Sequence, residues 1–164
     1  MRCRSISGIL IALALAVVAV AQTKISGTLI CAKPDEFQKI DIGDKPGHAY
    51  AISQGKCTWS KPMEIEGTQT KSDLVTGFSE MNGATAKDHG VAVDTLASGD
   101  TFVAHTTAMD TYKDGKSQVS EGTWVFTSAT GKLKGMTGKG TFKGKPDSEG
   151  NMIYDVEGTY QMPK

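Results

Sequence analysis

The chain has 164 residues, with 18 basic and 18 acidic side chains in formal balance. That length holds one domain with a modest core, and the balance calls for neither a nucleic acid nor a membrane surface as partner. The only arginines are Arg2 and Arg4, so the body of the chain lacks the usual bidentate readers of phosphates and bases.

Those two arginines open a three-part export signal. They precede an unbroken apolar run from Ile9 to Val20, and Ala19-Val20-Ala21 supplies small residues where a signal peptidase inspects the chain. Cleavage is expected between Ala21 and Gln22. The apolar run is about 12 residues, and a membrane span needs roughly 20, so no span is expected after cleavage. Cys3 stands before the run rather than after it, which argues against a lipid anchor. The expected product is a secreted or periplasmic chain: residues 1–21 a signal peptide, residues 22–164 a single β-barrel domain. It keeps 16 Lys against 18 acids, a net charge of about −2.

From residue 22 onward apolar residues recur mostly at period two, interrupted about every ten residues by Gly, Asp, Asn and Ser. This pattern predicts many short strands and no convincing helix. Ile25 to Ala32 opens the domain. Pro34 to Lys45 reads as a polar loop or a short helical turn. His48, Tyr50, Ile52 and Gln54 share one face of the next strand, followed by Cys57 and Trp59. Leu74, Thr76, Phe78 and Glu80 share a face. Val91 and Val93 mark another strand, then Phe102, Ala104, Thr106, Ala108 and Asp110, then Trp124 and Phe126. Leu133 and Phe142 are assigned to a hairpin. In the last strand Met152, Tyr154, Val156, Gly158 and Tyr160 alternate with polar residues, as a half-buried strand requires. Asn82-Gly83, Ser98-Gly99-Asp100, Lys113-Asp114-Gly115 and Asp147 to Asn151 are the hairpin connections. The count is roughly eight to ten strands.

Gly-Thr occurs at Gly27, Gly67, Gly122, Gly140 and Gly158. Glycine weakens a strand interior unless it permits a bulge or a sharp bend, so its repetition points to a strongly coiled sheet that closes on itself. Cys31 and Cys57 are the only cysteines after the signal, and in an exported chain an even pair predicts a disulfide. Closing a loop of roughly 27 residues stabilises by about 3–4 kcal/mol on the chain-entropy view.

The stretch from Gly122 to Phe142, Gly-Thr-Trp-Val-Phe-Thr-Ser-Ala-Thr-Gly-Lys-Leu-Lys-Gly-Met-Thr-Gly-Lys-Gly-Thr-Phe, resembles the aromatic strand and glycine-rich hairpin of the allene-oxide-cyclase-like group. These are small, eight-stranded, calycin-like barrels that include exported bacterial members of unknown function. Ser128-Ala129 stands where that pattern has Gly-Gly. The resemblance implies a fold, an antiparallel closed or nearly closed barrel. No cyclase catalytic residue has a matching position here, and a fold alone does not define a reaction. In the same stretch Lys132, Lys134, Lys139, Lys143 and Lys145 are expected to face outward and protect a sheet edge.

Chemistry-bearing patterns are sparse. His48, His89 and His105 lack metal-ligand spacing, so neither a metal nor another cofactor is expected. There is no nucleophile elbow and no phosphate loop. Glu80 and Asp110 share their inferred faces with Phe78 and Phe102; a carboxyl on an apolar barrel face has the raised pKa an acid or base needs. The pocket candidates are Tyr50, Phe78, Glu80, Phe102, His105, Asp110 and Trp124. The functional expectation is a non-enzymatic barrel that binds a small apolar or amphipathic molecule, or that is simply structural. The alternative is an isomerase or cyclase of the allene-oxide-cyclase-like type.

Overall fold

The computed structural model describes residues 22–164; the expected export signal, residues 1–21, lies outside the described residues. Ten strands form one antiparallel sheet: β1 (Thr23–Cys31), β2 (Glu36–Asp41), β3 (His48–Lys61), β4 (Glu64–Ile65), β5 (Thr68–Asn82), β6 (Thr85–Leu96), β7 (Thr101–Lys113), β8 (Lys116–Ala129), β9 (Thr137–Pro146) and β10 (Met152–Gln161). Pairing runs β3-β1-β10-β9-β8-β7-β6-β5, and β5 returns to β3, which closes an eight-stranded barrel. β2 adds to β3 beyond the end of β1, and β4 is a short hairpin partner of β5. The segment read as a loop therefore contains a strand, Glu36–Asp41. All six of its side chains are exposed, so it has no half-buried alternation to give it away.

Alternation fixes the inner face of each strand. On β10 the inward set is Met152, Tyr154, Val156, Gly158 and Tyr160; on β8 it is Ser120, Gly122, Trp124 and Phe126. The glycines of β9 and β10 face the same way and lie beneath rings. A Cβ on Gly140 would come within 2.5 Å of Trp124 and 1.9 Å of the Glu157 carbonyl, and one on Gly158 would come within 2.4 Å of Trp124. Glycine at these positions lets an indole lie flat against the wall of a narrow barrel. Gly67, by contrast, occupies a turn with φ of +73°, the left-handed region that favours glycine.

One end of the barrel is packed solid. Ile25, Met63, Ile65, Leu96, Phe102, Phe126, Leu133, Met136 and Tyr160 make up its core. Leu133 belongs to a 3-10 turn over Gly131–Leu133 rather than to a hairpin strand. The Tyr160 hydroxyl donates to Glu66 Oε1 at 3.0 Å and accepts from the Glu66 N–H at 3.1 Å, which ties the β4–β5 turn across this end. β9 pairs with both β8 and β10, so its outward lysines guard no edge; Lys143 forms an ion pair with Glu121. Cys31 and Cys57 face each other in register on β1 and β3 and are joined by a disulfide. No helix among the described residues is long and apolar enough to cross a membrane.

Candidate functional site: an aspartate-lined cavity in the barrel

Between the packed end and the opposite mouth lies a cavity of about 360 Å³. It exists because three neighbouring strands carry small residues inward. β5 contributes Val75, Gly77 and Ser79, β6 contributes Gly90 and Ala92, and β7 contributes Ala104, Thr106 and Ala108. The facing wall is aromatic, with Trp59, Trp124, Phe126, Phe142 and Tyr154. Phe37 of β2, largely exposed, stands at the mouth.

Four aspartates point into this space, in two pairs. Near the mouth, Asp88 of β6 and Asp110 of β7 lie one step apart on adjoining strands. Ser79 donates to Asp88, and the Tyr112 hydroxyl donates to Asp110 at 3.4 Å. Asp88 Oδ2 and Asp110 Oδ1 have no hydrogen-bond partner in the protein, and like charges so placed disfavour each other's ionisation. Burial pushes the Asp88 carboxyl up to about 6 against the Ser79 hydrogen bond, and the Asp110 charge adds to the rise. Asp110 is likewise raised, first by burial. Burial, reinforced by the nearby aspartates, also raises both tyrosines, Tyr154 to about 12.

Deeper, Asp73 of β5 and Asp94 of β6 stand opposite one another in register, both almost wholly buried. Trp59 Nε1 donates to Asp94 Oδ1 at 2.9 Å. Asp73 Oδ1 has no donor. Burial raises Asp73 to about 7, and burial together with the Asp73 charge raises Asp94 well above the usual carboxyl range. The two pairs lie six residues apart along β6, roughly 20 Å of extended strand.

Of the residues singled out from sequence, Phe102, Asp110 and Trp124 line this cavity. Tyr50, Phe78, Glu80 and His105 do not: they sit on the outer surface. Tyr50 pairs with Glu80 and Ile52 with Phe78 on the outside of β3 and β5, and His105 lies outside between Val91 and Val125. Tyr50 and Phe78 pack ring against ring there, at 5.4 Å between centroids. The physical reason is volume. Rings from β8, β9 and β10 take one wall, and β5 turns its small face inward, which keeps the cavity open and leaves the larger face in water. Asp73, Asp88 and Asp94 escaped the sequence reading for the same reason, since they alternate with Val75, Gly77, Gly90 and Ala92 on a face that looks too polar and too small to be a core.

The fold and cavity define a class, small closed antiparallel barrels with a ligand-sized interior. No family model matches the chain, and no curated protein matches it. Among solved structures, a pterocarpan synthase dirigent protein is similar, with a TM-score of 0.48 and 13% identity over 96% of this chain and 100% of that one.

Proposed function

We propose that the protein is an exported barrel that binds a small amphipathic molecule inside its cavity. One observation carries the reading: a 360 Å³ space has aromatic walls and also holds buried polar atoms without a protein partner, among them Asp73 Oδ1, Asp110 Oδ1 and Trp124 Nε1. Buried polar groups left unpaired by their own protein are costly, and ligand sites combine such groups with apolar walls. Export agrees with a disulfide, which persists in oxidising compartments. Both tryptophans line the cavity, so intrinsic fluorescence reports its occupancy directly. Titration of residues 22–164 with amphipathic compounds should shift that fluorescence saturably. A panel that leaves the emission unchanged contradicts the reading.

The Asp88–Asp110 pair favours a second reading, an isomerase or cyclase of the allene-oxide-cyclase-like kind. Two neighbouring buried carboxyls with raised pKa beside a cavity can supply an acid and a base at one place. Turnover of a bound compound, lost in Asp110→Asn while binding persists, would support catalysis over binding alone.

A further inference from the structure

The charged side chains lining the cavity are uniform in sign. Asp73, Asp88, Asp94 and Asp110 face inward, no lysine joins them, and His89 borders the space from an outward-facing position on β6. We infer that the cavity selects organic cations, and that an ammonium group on an apolar skeleton is seated between Asp73 and Asp94. This rests on the reading of the barrel as a binding protein and names its ligand class.

The geometry favours the deeper pair. Asp73 and Asp94 are directly opposed across β5 and β6, and Asp94 is already fixed by the Trp59 indole. Asp73 is 4% exposed, yet its Oδ1 has no donor. An ammonium carries three donors and no acceptor, so it satisfies that oxygen and the second carboxyl together. Trp59 stands beside the seat with its indole N–H on Asp94 Oδ1, which orients that carboxyl. Trp124, Phe126, Phe142 and Val156 also line the cavity and offer the apolar body a wall to pack against. A neutral ligand would gain the walls but leave the acids as they are. An anionic ligand would meet four carboxyls and no countercharge. Of the groups facing this pair, β3 offers only Trp59 and the disulfide-bonded Cys57, and β7 offers Phe102, so nothing else in the lining competes for the charge. The cation replaces a proton held by the pair, which leaves to solvent.

The test uses three probes with one apolar tail: decylamine, decanol and decanoate, each titrated into residues 22–164 at pH 7 below its micelle concentration, with tryptophan emission as the readout. Decylamine is expected to bind at least tenfold more tightly than decanol, and decanoate more weakly than either. Asp73→Asn is expected to reduce the preference of amine over alcohol to less than threefold. Asp88→Asn is expected to lower that preference less than Asp73→Asn does. Equal binding of amine and alcohol, or a preference that survives Asp73→Asn, overturns the cation inference and leaves the binding function standing. If none of the three probes binds, both fail.

Discussion

Asp73 and Asp94 face each other inside the barrel on adjacent strands; the Trp59 indole donates to Asp94 Oδ1, while Asp73 Oδ1 has no donor. Two buried carboxyls at this distance cannot both ionise cheaply. The folded chain therefore keeps protons that the unfolded chain gives up, and this sets a pH dependence. Asp73 is raised from 3.8 to about 7, so between those values the folded state binds more protons and stability falls as pH rises. Its contribution is complete near and below the ordinary carboxyl value and is gone above about 7. Asp88, raised to about 6, acts in the same direction. The melting temperature should be several degrees higher at pH 5 than at pH 8. Asp73→Asn, which needs no proton, should flatten that slope and stabilise the protein at pH 8 by on the order of a few kcal/mol. Thermal melts of both proteins across this range check it, and a wild-type melting point that rises from pH 5 to pH 8 would contradict it.

The contact of Trp124 with Gly140 and Gly158 predicts a second set of melts. A side chain at Gly140 must displace the indole and the Glu157 carbonyl, whereas Lys139 beside it points to solvent. Gly140→Val should cost about 1–3 kcal/mol more than Lys139→Ala. Trp124→Ala removes a ring that is almost fully buried and should cost about 3–5 kcal/mol. Denaturant titrations that show equal, small effects for all three would mean that this wall is not packed as described.

The Cys31–Cys57 bridge ties β1 to β3, two neighbouring strands of the barrel wall. Cys57→Ala should lower stability by about 2–4 kcal/mol under oxidising conditions, and the intact protein should weigh about 2 Da less than its reduced form. Mass spectrometry and a parallel denaturant melt provide both measurements.

The outer rings give a prediction by contrast. Tyr50 and Phe78 pack against each other in water, outside the cavity. Phe78→Ala should leave ligand affinity within about twofold of wild type, since it touches no cavity atom, while Phe142→Ala should weaken it by tenfold or more. Fluorescence titrations with decanol compare the two directly.

Much of the barrel was legible in the sequence, because alternation in strands such as Met152 to Tyr160 reports a half-buried sheet whatever its partner. Closure was legible too, through glycines repeated inside strands. The inner face of β5 was not. Hydrophobicity favours the face of Leu74 and Phe78 over that of Asp73, Gly77 and Ser79, but in this closed barrel the rings of β8 and β10 take one wall, and the small face of β5 opposite them leaves the cavity open. Asp110 was found because Phe102 marks its face unambiguously; Asp88 and Asp94 share theirs only with Gly90, Ala92 and Leu96. β2 was missed because a strand exposed on both faces carries no periodic signal.

The central claim, that the ligand lies inside the barrel, is tested most directly by nuclear magnetic resonance. Isotopically labelled residues 22–164 would be titrated with decylamine while indole and amide resonances are followed. The Trp59 and Trp124 indole signals and the amides of Val75, Ala92 and Ala104 should shift together and saturate. Shifts confined to Ile40, Tyr50, Ile52 and Phe78, large hydrophobic residues exposed on β2, β3 and β5, would place the binding on the outer surface and contradict the account.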